Sequence, residues 1–167
     1  MPTSTRFVVS LHMLALMAEH GETPLRSEDI AVSVNSNAAV VRALLLRLAA
    51  AGLTRSQLGN RGGAMLAKPS ADIRLVDVYQ AVEDRNFFAF HRQPPQGEGL
   101  IDRHITASLE SMLTPVREAL EDKLAGLTLD DVLDDIHGRA GNGGASGSDQ
   151  IQIGRTHIGK ERRQAVG

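Results

Sequence analysis

No cysteine occurs among the 167 residues of this chain. That removes disulfides, thiolate nucleophiles, cysteine-ligated zinc and cysteine-held iron–sulfur clusters together, and it fits a cytoplasmic protein. Long apolar runs are missing too. The stretch from Phe7 to Ala18 is interrupted by Ser10 and His12 and is followed by no small-x-small cleavage site. It is too short to span a bilayer, so it reads as a buried helix rather than a signal peptide, and no membrane partner is expected. Catalytic signatures are equally scarce. There is no P-loop, HExxH or nucleophile elbow, and the loop Gly59–Gly63 lacks the Lys-Ser/Thr that cradles phosphate. His12, His20, His91, His104, His137 and His157 show no ligand spacing, and His12 is expected in or near the core. No catalytic residue, metal ligand or cofactor can be nominated, and the expectation is a protein that is not an enzyme.

The most pointed absence is local. From Ile30 to Ala71 there is no Asp or Glu in 42 consecutive residues, yet Arg42, Arg47, Arg55, Arg61 and Lys68 lie inside. A field of one sign serves to steer an oppositely charged partner, here a polyanion. The overall net charge of −2 conceals strong segregation. Residues 1–92 carry ten cations against eight acids, residues 93–137 three against ten, and residues 138–167 five against two. A basic front, an acidic middle and a basic tail are three different surfaces.

Periodicity organises the front. A first helix is expected over Thr5 to Glu19, with Thr3 to Thr5 as candidate caps and Gly21 as its stop. Ser27 is placed to cap a short second helix with Glu28 and Asp29 in its first turn. After Val34-Asn35-Ser36-Asn37, Asn37 can cap a third helix from Ala38 to about Ala51, stopped by Gly52. Val41, Leu44, Leu45 and Leu48 give that helix a buried face. Ala39, Ala43, Leu46 and Ala50 fall opposite, flanked by Arg42 and Arg47. Leu53 to Leu58 and Ala64 to Ala67 read as short strands joined by a glycine-rich tip at Gly59–Gly63. Leu75 to Glu83 forms a further helix.

Beyond it, Phe87 to Gly99 is irregular. Helical spacing of apolar residues resumes from Ile101 to Leu124, where Pro115 either kinks the helix or starts a new one. Thr128 can cap a last short helix. From Gly138 onward, Gly/Ser richness and low hydrophobicity indicate a disordered tail. The expected organisation is a domain over 1–86, a linker loop and dimerisation helices over 87–137, and the tail over 138–167. The class is mainly α with a small β-hairpin.

Three helices followed by a glycine-tipped hairpin describe a winged helix-turn-helix, and the major groove of double-stranded DNA admits one such α-helix. Small side chains at Ala39 and Ala43 allow close approach. Arg42 and Arg47 suit phosphates or guanine edges, and Ser36 and Asn37 suit a phosphate or a base. Arg61 at the wing tip suits a narrow minor groove. Winged helices also serve as protein-docking modules, which leaves an interaction adaptor as the alternative.

These residues also resemble a known family. Asn37-Ala38-Ala39-Val40-Val41-Arg42, Ser27-Glu28-Asp29-Ile30-Ala31 and Arg61-Gly62-Gly63-Ala64-Met65-Leu66-Ala67-Lys68-Pro69 look like the Rrf2 family of bacterial winged-helix regulators. So does Asp72 to Glu83, which contains Asp77-Val78-Tyr79-Gln80-Ala81-Val82-Glu83. The likeness spans about Thr5 to Ile136. It implies homodimers on palindromic operators, usually acting as repressors, with helix 38–51 and wing 59–63 on DNA through Asn37, Ala39, Val40, Arg42 and Arg61. It further implies a dimer helix presenting Ile101, Ile105, Leu109, Met112, Val116 and Leu120. Well-known members hold an iron–sulfur cluster on three cysteines in the loop before that helix. The matching segment here, His91 to Asp102, has none, so the resemblance is to the cofactor-free branch. An apolar junction at Phe87, Phe88, Phe90 and His91 is the candidate site for a small-molecule effector. The alternative is that these aromatics only fill the junction.

Overall fold

The computed structural model describes residues 4–59, 62–83, 97 and 99–143. Helix α1 (Arg6–His20) buries Ser10, Met13, Leu14, Ala15 and Met17 along one face and stops at Gly21, whose φ of 56° is left-handed. Thr5 occupies its N-cap position but makes no side-chain cap bond. The cap comes from far away in sequence: Glu83 Oε1 accepts the Phe7 N–H at 3.1 Å and the Ser4 hydroxyl at 2.6 Å. His12 is exposed on α1 rather than in or near the core, because it falls between the buried positions of the 3.6-residue period.

Helix α2 (Ser27–Ser33) begins one residue earlier than a Ser27 cap allows. Arg26 holds the N-cap position, and the Ser27 hydroxyl donates to Glu28 at 3.2 Å. The turn to α3 (Ala38–Ala50) closes in a particular way. The Ser36 N–H bonds to Ala31 O at 2.9 Å and the Asn35 N–H to Val32 O at 3.3 Å, with Asn35 at φ 49°. That is a Schellman ending with Asn in the left-handed position that glycine more often takes. Asn37 Oδ1 then accepts from the Val40 N–H at 2.9 Å, capping α3 as expected. The chain bends by 108° from α2 to α3, within the range of a helix-turn-helix. Helix α3 ends in a second Schellman turn at Gly52, φ 70°. There the Leu53 N–H returns to Leu48 O at 2.9 Å, and both side chains are fully buried.

Strands β1 (Thr54–Gln57) and β2 (Gly63–Leu66) pair antiparallel, Thr54 opposite Leu66 and Gln57 opposite Gly63. Leu25 adds a third edge to this ribbon through reciprocal bonds with Ala64 at 2.9 and 2.8 Å. Gly63 is required there, because the Leu25 carbonyl fills the space a Cβ would need. A short 3₁₀ turn, Ser70–Asp72, leads to α4 (Leu75–Val82), whose Leu75, Val76, Val78 and Val82 are buried. Tyr79 meets Phe7 edge-on at 5.6 Å between ring centres.

Helix α5 (Leu100–Ala125) runs as one helix through Pro115, which settles the choice between one helix and two. Helix α6 (Leu129–Gly143) is longer than the sequence suggests and carries the chain helically past Gly138, where a disordered tail was expected. Arg139 bonds Asp135 one turn back, at 2.6 Å, across that point, the spacing that supports a helix. The Thr128 hydroxyl accepts the Asp131 N–H at 3.2 Å, while Asp131 accepts the Thr128 N–H at 2.7 Å, a reciprocal cap. Residues 144–167 lie outside the described ones.

Packing does not follow the expected division at 86/87. Leu129 is fully buried and Leu133 nearly so, both within the cluster formed by Met13, Leu14, Ile30, Val41, Leu48, Leu53, Ile73, Val78 and Val82. The backbone confirms the return: Leu75 N–H bonds to Leu127 O at 2.9 Å and Leu129 N–H to Ile73 O at 2.8 Å. Helix α6 therefore belongs to the core of the winged domain. No single helix among the described residues is long and apolar enough to cross a membrane.

Candidate nucleic-acid interface

The outward face of α3 is laid out as its periodicity requires. Val41, Leu44 and Leu48 are buried and Leu45 half-buried, while Ala39, Val40, Ala43, Leu46 and Ala50 are exposed. Ser36 and Asn37 are exposed at its start. Asn37 uses its side-chain oxygen for the cap, and its amide nitrogen makes no hydrogen bond among the described residues. The surface available to a groove is thus a run of methyl groups with polar atoms only at the N-terminal end.

The two arginines flanking this face are not equivalent. Arg42 Nη1 donates to Glu28 Oε1 at 2.8 Å and to the Ser27 hydroxyl at 3.3 Å, so it leans toward α2. Arg47 Nη1 donates to Val82 O at 3.1 Å and leans toward the end of α4. A cation on the last carbonyls of a helix is favourably placed against its dipole, which gives Arg47 a structural task. On the wing, Arg55 donates to Leu66 O at 3.2 Å and to Glu22 at 3.0 Å. Arg61 lies outside the described residues.

Glu22 and Glu28 are the residues that sequence reasoning missed. The acid-free window holds along the chain but not in space, because two of its cations meet acids from just upstream. Glu28 is held below the usual carboxylate range by its own backbone N–H first, then by the Ser27 hydroxyl and the Arg42 guanidinium. It is therefore ionised at neutral pH. The hint available in the sequence was position: Glu22, Glu28 and Asp29 stand immediately before the window opens.

Helix α5 buries none of its residues within one protomer. At 100° per residue, Ile101, Met112, Ile105 and Val116 share about 60° of arc, with Leu109 and Leu120 beside them. Ile101 and Met112 are 70% and 71% exposed, Val116 51%. Ile105, Leu109 and Leu120 are half-buried. The arm meets α4 through Gln80, whose amide donates to Glu121 at 3.0 Å. The proposed effector junction, Phe87, Phe88, Phe90 and His91, lies outside the described residues.

The family model for Rrf2, described as an iron-dependent transcriptional regulator, matches residues 3–135. YwnA of Bacillus subtilis, named as a candidate HTH-type transcriptional regulator, is 35% identical over 80% of this chain and 98% of its own. The crystal structure of a candidate DNA-binding protein superposes with a TM-score of 0.64 at 34% identity, covering 77% of this chain and 98% of that one. IscR of T. potens superposes at 0.59 with 26% identity, over 81% of this chain and 88% of that one. The iron of the family description can be tested on the donor set. A cluster held by cysteines does not fit a chain without cysteine, and no group of three His, Asp or Glu among the described residues is disposed to hold a metal ion.

Proposed function

The chain belongs to the Rrf2 family of transcriptional regulators, and on that premise we propose that it binds a palindromic DNA operator as a homodimer and acts as a repressor in the cytoplasm. The observation that carries this reading is the exposed face of α3, held at 108° to α2 by a capped turn and followed directly by a hairpin wing. Nothing among the described residues covers that face, and its small side chains suit close contact with base edges and thymine methyls. The DNA-facing residues are Ser36, Asn37, Ala39, Val40, Arg42 and Ala43, with Arg61 reaching from the wing. Arg47 contributes by fixing α3 to α4 rather than by direct contact.

The support for two-fold symmetry is the exposed stripe of α5. A stripe with Ile101, Met112 and Val116 largely exposed is what one protomer leaves for a second, and an isologous pair places two recognition helices on a palindrome. The acidic α6 keeps the remaining surface off the phosphates by like-charge repulsion. Regulation through DNA occupancy needs neither catalytic chemistry nor a cofactor.

The reading is tested by selecting duplexes from a random pool with the full chain and measuring binding by fluorescence anisotropy against salt. With about four phosphates neutralised per protomer, the log–log slope is expected to be roughly −7. Failure to enrich any sequence, or a flat salt dependence, overturns DNA binding and leaves the adaptor reading in its place.

A further inference from the structure

Arg42 is the only cation on the outward flank of α3 whose charge is not used to hold the fold among the described residues, and it is met by an acid. Its bond to Glu28 and its bond to Ser27 both run through Nη1. The Nη2 and Nε hydrogens make no bond among the described residues, so one two-donor edge of the guanidinium is left open. That edge is the fork that reads guanine O6 and N7 or a pair of phosphate oxygens. Both partners are exposed, 59% for the Arg42 side chain and 64% for Glu28. They stand on the helix-turn-helix surface itself.

We propose that Glu28 is a positioning and selectivity residue of the DNA interface, acting through Arg42; this rests on the DNA-binding reading above. Glu28 does two things at once. It fixes one nitrogen of the guanidinium, so the free edge is presented in a restricted orientation that a base edge can use. It also offsets the Arg42 charge, so the attraction that any phosphate would exert on Arg42 is largely cancelled. A base contact depends on orientation, whereas non-specific binding depends on net charge. The pair therefore lowers affinity for arbitrary DNA while keeping it for the right sequence, a repulsive element that separates the correct partner from wrong ones. With few cations on this face, the effect of one acid on the ratio is large.

The test uses the full chain and two probes: a duplex enriched from a random pool by the wild type, and a scrambled duplex of equal length. Glu28→Gln keeps an acceptor but removes the charge. It is expected to bind the scrambled duplex about tenfold more tightly, with a salt slope steeper by up to ~1.8 per dimer as both Arg42 residues become available to phosphates. The specific-to-non-specific ratio falls accordingly. Glu28→Ala lowers the ratio further because the anchor goes as well. In an Arg42→Ala background, neither change moves the ratio. Thermal midpoints stay the same, since an exposed pair contributes little to stability. An unchanged ratio in both Glu28 variants overturns the proposal, and so does the same change without Arg42. A wild type that enriches no sequence removes the DNA-binding reading instead, which is a separate result.

Discussion

The carboxylate of Glu83 accepts the backbone N–H of Phe7 at 3.1 Å, joining the end of α4 to the start of α1 across 76 residues of sequence. It also accepts from Ser4 and lies 3.5 Å from an Arg6 nitrogen, with only 12% of its side chain exposed. A negative group at the first turn of a helix satisfies an otherwise orphaned donor and complements the dipole. Glu83→Ala is expected to cost about 1–2 kcal/mol, at the scale of a lost cap. Urea unfolding measures it, and a change within error would mean that solvent replaces the carboxylate at no cost.

Arg47 offers a sharper contrast, because its two readings predict different measurements. Donation to Val82 O gives Arg47→Ala a stability loss of about 1–2 kcal/mol, as for a hydrogen bond from a charged donor. The salt slope of DNA binding should stay the same. A shallower slope with unaltered stability would return Arg47 to the phosphates.

Met112 and Val116 are exposed within one protomer, so replacing both with Glu tests association without disturbing the protomer's own core. Light scattering should report monomers, the far-ultraviolet circular dichroism spectrum should be unchanged, and affinity for the enriched duplex should fall at least a hundredfold. Persistent dimers would place the interface elsewhere.

Acid should act on the base of α6. Hydrogen bonds from the Thr128 backbone N–H and hydroxyl hold Asp131 below its ordinary pKa. A group depressed on folding adds stability that is fully present above its unfolded pKa of about 3.9 and is lost as pH falls through the folded value. Unfolding free energies measured from pH 7 down to pH 2 should thus decline below about pH 4, with Asp131→Asn less stable at pH 7 and flatter in acid. Parallel profiles for the two proteins would show that the cap makes no difference.

How much of this was legible in the sequence can be seen residue by residue. The limits of α3, its buried Val41, Leu44 and Leu48 and its cap at Asn37 all follow from spacing and local hydrogen bonding, which short segments encode. The left-handed Asn35 was legible only as a break. Glu83 capping α1, Glu28 meeting Arg42 and Arg47 reaching Val82 were not legible, because each depends on which helix lies beside which. Periodicity identifies a face but not its neighbour. Helix α6 was misjudged for a related reason. It was expected as a short helix of the dimer arm giving way to a Gly/Ser-rich tail at Gly138, whereas Leu129 and Leu133 pack into a core assembled from distant segments. The stripe on α5 was legible as apolar. Its exposure became visible only once the protomer was seen to leave it uncovered.

The return of α6 has a mechanical consequence. Because Leu127 and Leu129 are bonded on either side of Ile73–Leu75, the foot of α5 is clamped to the same block of structure that carries α3. The arm is ~39 Å long at 1.5 Å per residue, so in a dimer joined along it, each reading head is a rigid bracket on a shared strut. A tilt of about 5° between the struts moves their far ends by roughly 3 Å, close to one base-pair rise. On the proposed operator, anything that wedges or relaxes the clamp at Gly126–Leu129 would retune the distance between half-sites without touching the surface proposed to read them.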